Sequence, residues 1–265
     1  MIKYVVYALI IYLIIGFGLY FNQRRLTFRR SKKPYSPEYY NLTNVSEEFI
    51  VISDEIRLLN WLAKPKKNKP TIIFFHGNSF DIGERAYKIN FYIENGYGIL
   101  LHAYRGFSGN KGDPTENNIY NDAKVVVDWV KKNILINENN IILYGESLGT
   151  AAAIELGQYK KFKAIILEAP FTSISELAQK MYPIYPVKYL IWDKFDNISK
   201  INNLISPLLV LHGKNDEIVP FSMGKKIYEE YKNKKDYVFI DEGMHNNLYD
   251  YGIVNKVIEF INKHY

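Results

Sequence analysis

The sequence predicts an α/β fold, in which helices cover both faces of a mostly parallel β-sheet and one apolar helix precedes the domain. From residue 46 to the end of the chain, short uninterrupted apolar runs alternate with amphipathic helical patterns. This alternation is typical of parallel strands buried on both faces. The chain has 265 residues, 48% of them hydrophobic, which is enough for one sizeable core. Residues 4–21 carry no charged side chain and stand apart from this pattern.

The apolar amino-terminal segment reads "YVVYALIIYLIIGFGLYF". As a helix that rises about 1.5 Å per residue, it would nearly cross a hydrocarbon core of about 30 Å. We therefore expect a transmembrane anchor over residues 1–22. A cleaved signal peptide is the alternative, with Gly16 and Gly18 as a small-x-small site. A buried core helix explains the segment poorly because it has no polar face.

The excess positive charge of the chain lies directly after this segment, in a predicted basic linker over residues 23–45. The net charge is +6. Six basic residues of the linker account for it: Arg24, Arg25, Arg29, Arg30, Lys32 and Lys33. The remainder is close to neutral, so we expect no nucleic-acid partner. The positive-inside rule places the linker and the main domain on the cytoplasmic face of the membrane.

The predicted domain, residues 46–265, begins with a hairpin and continues with alternating strands and helices. The hairpin is formed by "EEFIVIS" and "IRLLNWLA". The later strands are "TIIFFHG", "GILLHAY", "IILYG", "KAIILEA", "SPLLVLHG" and "DYVFIDEG". Helices are expected over residues 84–94, 117–132, 222–232 and 246–263, and directly after Ser147. Functional residues of such a sheet lie at the carboxyl ends of the strands.

One of these strand ends carries the motif Gly-Glu-Ser-Leu-Gly around Ser147. A G-x-S-x-G motif between a strand and a helix is typical of a nucleophile elbow. Glycines stand two residues to either side because larger side chains would collide with the backbone of so sharp a turn. The helix that follows offers free N–H groups and a positive dipole end to developing negative charge. Ser147 is therefore the predicted nucleophile.

A serine hydroxyl needs a base and an orienting acid. Asp216 follows the strand "LLVLHG", and His245 lies in a loop before the last helix. The chain order Ser147, Asp216, His245 matches the order in which elbow-type hydrolases carry their triad. Glu217 and Glu168 are alternatives for the acid.

Two other histidines are assigned structural or peripheral positions. His212 precedes a glycine at a strand end and is interpreted as structural, and His264 is expected to be solvated. The absence of cysteine excludes disulfides, cysteine metal ligands and a cysteine nucleophile.

The oxyanion hole is predicted from backbone N–H groups. One donor is Leu148, the residue after the nucleophile, and the second should come from the loop after an early strand. The sequence "FFHGN" places Asn78 there. His76 is then interpreted as a structural residue that fixes this loop.

An insert over residues 172–205 falls between two strands, where a lid is expected. Four of its aromatic residues are predicted to line the substrate pocket: Tyr182, Tyr185, Tyr189 and Trp192. In the alternative, these rings only close a small core over the sheet.

Five blocks carry a resemblance to a known family: "FFHGN", "YRGFSGNKGDPTE", "YGESLGT", "LHGKNDEIVP" and "GMH". Across residues 46–265 the chain resembles the α/β-hydrolase superfamily. Within it, the chain is similar to a membrane-tethered branch that includes bacterial inner-membrane hydrolases and eukaryotic protein depalmitoylases.

The residues and the resemblance together imply a serine hydrolase that cleaves carboxylic esters or thioesters through an acyl-serine intermediate. The implied substrate is a small or lipid-like acyl compound, and the implied reaction uses no metal and no organic cofactor. Two alternatives stay open at this stage. An amidase or peptidase would use the same triad, and a non-catalytic module would bind partners at the membrane.

Overall fold

The centre of the molecule is an eight-stranded β-sheet. The structure is a computed structural model and describes residues 1–264; Tyr265, the last residue of the predicted domain, lies outside the described residues. The strands are β1 (Ser46–Val51), β2 (Arg57–Ala63), β3 (Thr71–Phe75), β4 (Gly98–His102), β5 (Ile141–Glu146), β6 (Ala164–Glu168), β7 (Leu208–Gly213) and β8 (Lys235–Ile240). Their order across the sheet is β1-β2-β4-β3-β5-β6-β7-β8.

The sheet is antiparallel only at its amino-terminal edge. Strand β1 pairs antiparallel with β2, and β2 pairs antiparallel with β4. Each further pair, from β4 with β3 to β7 with β8, is parallel. The predicted hairpin and the predicted mostly parallel α/β sheet are therefore confirmed. Central strands β3, β5 and β6 are buried along their whole length, which explains their uninterrupted apolar sequences.

Helices pack on both faces of the sheet. The helices of the chain are α1 (Ile2–Thr27), α2 (Ala86–Glu94), α3 (Glu116–Ile134), α4 (Gly149–Gly157), α5 (Ile174–Met181), α6 (Val187–Leu190), α7 (Phe221–Glu230) and α8 (Ile253–Lys263). Those that cover the sheet are α2, α3, α4, α7 and α8. One buried cluster joins Ile73 and Phe75 of β3 to α3, α4 and α7. The other joins Ile72 and Phe74 to α2 and α8. Alternate residues of one strand thus face two separate cores.

The last helix begins later than the sequence predicts. Residues Leu248–Tyr251 form a 3-10 turn, and Gly252 follows with a left-handed φ of 68°. This backbone geometry separates the turn from α8, which starts at Ile253. The predicted helix over residues 246–263 is therefore too long at its amino-terminal end.

Helix α1 extends beyond the predicted anchor and ends at Thr27. Arg24 and Arg25 occupy its last turn, where positive charge complements the carbonyl end of a helix. None of its residues is buried, and among residues 1–264 it is the one helix that is long and apolar enough to cross a membrane; a signal sequence would pass the same test.

Part of the predicted basic linker packs onto the domain. Phe28 is buried, and its ring centroid lies 6.1 Å from that of Phe195. Leu42 and Val45 are buried in the core on the other face of the sheet. Phe28 thus holds the carboxyl end of α1 against the domain, and Leu42 and Val45 attach the end of the linker.

Two buried histidines should make the fold sensitive to acid. Burial lowers the pKa of His76 and of His102 to about 3, whereas an unfolded histidine titrates near about 6.5. Below pH 6.5 the unfolded chain therefore binds protons that the folded chain does not. The free energy of unfolding consequently decreases as the pH is lowered. The slope is up to about 1.4 kcal/mol per pH unit for each histidine until the folded pKa is reached.

We expect the free energy of unfolding of the full chain in detergent to fall between about pH 6.5 and 5, a window above the ordinary carboxyl pKa values. The His102→Gln variant should show a shallower fall than the wild type, whatever its absolute stability. Urea unfolding followed by tryptophan fluorescence at several pH values measures both slopes. Equal slopes would contradict the prediction.

Candidate active site

Ser147 occupies a strained turn between β5 and α4. Its φ is +50°, in the left-handed region that non-glycine residues rarely adopt. The turn is tied down on both sides: the Ser147 N–H donates to the Glu168 carbonyl at 2.8 Å, and the Ser147 carbonyl accepts from the Thr150 hydroxyl at 2.6 Å. The side chain is left half-buried at the carboxyl end of a central strand.

The two glycines of the motif are required by close backbone contacts. A Cβ atom at Gly145 would come within 2.5 Å of the Gly149 carbonyl oxygen, and one at Gly149 within 2.0 Å of the Phe75 oxygen. Both contacts are to backbone atoms, which cannot rotate away. The turn therefore excludes any larger residue at either position.

Two backbone N–H groups beside Ser147 have no partner within the described part of the chain. They belong to Asn78 and Leu148, and neither donates a hydrogen bond among residues 1–264. The Asn78 loop lies against the elbow, since a Cβ atom at Gly77 would approach Ser147 Cβ to 3.4 Å. His76 supports this loop: its ring Nδ1 donates to the Gly77 carbonyl at 2.6 Å. The predicted oxyanion donors are thus free and adjacent to the predicted nucleophile.

Asp216 and His245 meet at the carboxyl ends of β7 and β8. The ring Nδ1 of His245 lies 2.8 Å from Asp216 Oδ2. Since an ionised carboxylate only accepts, the proton sits on Nδ1 and leaves Nε2 free as a base. The other carboxylate oxygen of Asp216 accepts from the N–H groups of Ile218 and Val219 at 2.9 and 2.7 Å.

Hydrogen bonds keep the Asp216 carboxylate ionised. Burial is the largest single effect and raises its pKa, but hydrogen bonds from His212, His245 and the Val219 N–H together outweigh it. The pKa of Asp216 therefore lies below its ordinary value. A group that must stabilise a developing imidazolium needs this charge.

The alternative acids occupy other positions. Glu168 is buried and contacts Lys88 at 2.8 Å and the Tyr144 hydroxyl at 2.7 Å. The Glu217 carboxylate accepts from the backbone N–H of His245 at 3.3 Å and does not contact its ring. Of the three candidates, Asp216 is the one in contact with the imidazole.

His212 is more closely connected to the site than the sequence indicates. Its Nε2 lies 3.0 Å from the Val219 carbonyl and 3.3 Å from Asp216 Oδ2, so the carboxylate sits between two histidine rings. The side chain is buried. The signal in the sequence was its position at a strand end four residues before Asp216.

A buried group of four charges lies behind the elbow and was not predicted from the sequence. Arg85 contacts Glu146 at 2.8 Å, and Lys88 contacts Glu146 at 3.2 Å and Glu168 at 2.8 Å. Burial is the largest single effect on the Glu146 carboxyl and raises its pKa. The charges of Arg85 and Lys88 together outweigh burial and hold this pKa below its ordinary value. Arg85 also donates to the Ser79 carbonyl at 2.6 Å. It thereby links the residue before Ser147 to the residue after Asn78.

The four aromatic residues predicted to line the substrate pocket separate in the structure. Tyr182 and Tyr185 line a cavity of about 430 Å³ between the insert and α1. Tyr189 is 81% exposed because the short helix α6 turns it outward. Trp192 packs edge-on against Tyr20 of α1 instead. Tyr189 and Trp192 therefore do not line this cavity.

The described residues contain no group of three histidine, aspartate or glutamate side chains that could hold a metal ion.

Comparison with known proteins identifies the family. The sequence profile of the prolyl oligopeptidase family matches residues 88–245, more than half of the chain. An uncharacterized protein of Mycobacterium tuberculosis is 29% identical over 228 residues, which cover 85% of this chain and 81% of that protein. Human alpha/beta hydrolase domain-containing protein 17B is 32% identical over 188 residues, covering 69% of this chain and 63% of the human protein.

Solved structures of hydrolases share the fold. An esterase of Pyrococcus furiosus superposes with a TM-score of 0.72 at 20% identity and covers 88% of this chain and 97% of the esterase. An acylaminoacyl peptidase superposes with a TM-score of 0.66 at 18% identity and covers 82% of this chain but 41% of the peptidase. The family match shows that the chain belongs to the prolyl oligopeptidase family and is a hydrolase of the α/β-hydrolase superfamily, whose fold these structures share.

Proposed function

We propose that the protein is a serine hydrolase that cleaves carboxylic esters or thioesters through an acyl-serine intermediate. The observation that carries the proposal is the 2.8 Å contact between Asp216 and His245 at the sheet edge that also presents Ser147. In the proposed reaction, Ser147 Oγ attacks the acyl carbonyl and His245 Nε2 takes its proton. His245 then returns the proton to the leaving group, while Asp216 holds the tautomer and stabilises the imidazolium.

The negative charge of the tetrahedral intermediate would be held by the free N–H groups of Asn78 and Leu148. The amino-terminal end of α4 adds its positive dipole end at the same place. In the second half of the reaction, water attacks the acyl-serine with His245 again as the base. In the described part of the chain, Ser147 Oγ and His245 are not hydrogen-bonded to each other. Such catalytic hydrogen bonds are often long when no substrate is bound.

Two features favour an ester or thioester substrate. The esterase of Pyrococcus furiosus shares the fold over most of its length. The cavity between α1 and the insert is lined largely by apolar residues, including Leu13, Phe17, Val187 and Leu190, which suits an acyl chain.

A peptidase or amidase is the second candidate. The family profile and the acylaminoacyl peptidase fold favour it, because both names denote peptidases, and an amidase would use the same three residues of this chain. The distinction depends on the leaving group, so it is tested with matched substrates.

The test is hydrolysis of aryl esters and thioesters of increasing acyl length beside the corresponding anilides. We expect turnover of the esters and thioesters to exceed that of the anilides. Faster anilide turnover would favour the peptidase. A fluorophosphonate probe should label the wild type at Ser147 and leave Ser147→Ala unlabelled. Absence of labelling and of turnover would favour a non-catalytic interaction module.

We further propose that α1 anchors the protein in a membrane with the domain on the cytoplasmic face. Support comes from the uneven flanks of the apolar segment: Lys3 precedes it, whereas six basic residues follow within residues 24–33. Basic residues near an anionic surface contribute about 1 kcal/mol each to membrane attraction.

The topology has a direct test in sealed vesicles. Protease should remove a carboxyl-terminal epitope tag from inside-out vesicles and spare it in right-side-out vesicles. Protection in the inside-out vesicles would overturn the orientation. Recovery of a soluble chain lacking residues 1–18 would show a cleaved signal peptide in place of an anchor.

A further inference from the structure

An elongated apolar slot runs between α1 and the insert. On the α1 side, its lining recurs every three or four residues along one helix face and includes Leu13, Gly16, Tyr20 and Thr27. On the other side, the lining includes Tyr182 and Ile191. From Leu13 to Thr27 the helix rises about 21 Å. The cavity of about 430 Å³ is therefore elongated along the helix, a shape that suits an extended hydrocarbon chain.

The outer end of the slot is closed by a reciprocal tyrosine contact. The rings of Tyr12 and Tyr185 stack with centroids 4.6 Å apart. The Tyr12 hydroxyl donates to the Ile184 carbonyl at 3.0 Å, and the Tyr185 hydroxyl donates to the Tyr12 carbonyl at 3.1 Å. Backbone groups at membrane depth must be paired in this way.

The inner end is held by polar contacts next to the domain. The backbone N–H of Trp192 donates to Gln23 Oε1 at 2.7 Å, and Arg24 pairs with Asp193 at 2.9 Å. The insert is thus attached to α1 at two places, residues 184–185 and residues 192–193, and much of the slot lining lies between the two attachments.

The slot is open to the surroundings of α1. This helix is apolar, and none of its residues is buried. The tip of the insert next to it exposes Met181, Ile184 and Tyr189 by 65%, 70% and 81%. If α1 spans the bilayer as proposed, the medium at this surface is hydrocarbon, and acyl chains are the molecules that reach the slot.

At its inner end the slot contacts the loop that carries Asn78. The Thr27 carbonyl, in the slot lining, accepts from the Asn78 side chain at 2.7 Å. Asn78 also carries one of the two free N–H groups, and its neighbour Gly77 packs against Ser147. The lining residue Thr27 is therefore in direct contact with a residue of the proposed oxyanion hole.

We propose that the slot holds a long fatty acyl chain that enters from the bilayer, with its carbonyl carbon at Ser147. Helix α1 is then a wall of the substrate site as well as an anchor. The inference rests on the proposed ester or thioester hydrolase and deepens it, because it assigns long-chain membrane-resident acyl compounds as the substrates. The chain can come from a glycerol ester or from an acylated protein.

Two glycines of α1 provide a variant and a matched control. A Cβ atom at Gly16 would lie 2.9 Å from a ring carbon of Tyr185, so Gly16→Leu fills the slot. A Cβ atom at Gly18 meets nothing within 4 Å, so Gly18→Leu makes the same chemical change outside the slot. Both substitutions raise helix propensity equally.

The full-length variants are compared in lipid nanodiscs with aryl esters from acetate to palmitate. Gly16→Leu should lower kcat/KM for palmitate at least about tenfold, a loss of about 1.4 kcal/mol of transition-state stabilisation, and leave acetate unchanged. Gly18→Leu should match the wild type on every ester. Palmitoyl glycerol and an S-palmitoyl peptide, assayed side by side, identify the source of the chain.

Each result decides the proposal. Equal palmitate turnover in the two variants would overturn it, as would an equal loss on acetate and palmitate, because a filled slot leaves short acyl groups unaffected. Failure of the wild type to cleave any ester or thioester would refute the proposed function itself. The acetate reaction also shows that Gly16→Leu is folded.

Discussion

Ser147→Ala and His245→Ala are each expected to lower kcat by about 10⁴ to 10⁶-fold, and the double variant should lose little more. The two side chains act in one step, since the hydroxyl is a weak nucleophile without a base and the base has no other proton to take. Residual turnover would come from the Asn78 and Leu148 N–H groups, which both substitutions leave in place. Steady-state kinetics on an aryl ester measure all three variants.

The controls for this prediction are residues of the same types away from the site. Ser199 lies on an exposed turn, and His264 lies at the end of α8. The control variants are Ser199→Ala and His264→Ala. Both should retain wild-type turnover. Additive losses from Ser147→Ala and His245→Ala would contradict a shared step, and a small loss from either would remove that residue from the mechanism.

Asp216→Asn should cost about 10⁴ in kcat while the fold is retained. Asp216 Oδ1 accepts two backbone N–H groups, from Ile218 and Val219. The amide oxygen of the variant is expected to keep these bonds, which turns its NH₂ group toward His245. That ring must then accept at Nδ1 and carry its proton on Nε2, where it cannot take a proton from Ser147.

Glu217→Gln is the matched control for this substitution. The Glu217 carboxylate accepts from the backbone N–H of His245, and a glutamine oxygen can do the same. Turnover should therefore stay near the wild-type value. If Glu217→Gln gave the large loss and Asp216→Asn did not, Asp216 would not be the orienting acid. Circular dichroism of both variants checks that the fold persists.

Local patterns were sufficient for the architecture and for the elbow. Apolar runs between turn signals predicted the parallel strands, because a strand covered on both faces has no polar side. The motif around Ser147 could be recognised in the sequence because its glycines avoid clashes with residues close by in the chain. The approach of Gly149 to Phe75 is the exception. The later start of α8 was missed, since Gly252 ends one turn and begins the next helix.

Identifying the carboxylate that contacts His245 required the three-dimensional structure. Asp216, Glu217 and Glu168 each follow or end a strand, and sequence spacing does not say which carboxylate points at the imidazole. The neighbouring positions of β7 and β8 bring Asp216 to His245, while β6 directs Glu168 toward Lys88. The strand order decides this, and it depends on packing between distant segments.

Contacts between distant segments also decided the surroundings of the site. Arg85 and Lys88 read as ordinary charges of a helix, yet they neutralise two glutamates behind the elbow because burying a charge requires a partner. The insert read as a lid of aromatic residues, and its packing against α1 divides them: Tyr185 lines the slot and Tyr189 faces outward. Composition alone predicts aromatic rings in the insert, but the face each ring presents depends on a helix that lies about 170 residues earlier in the chain.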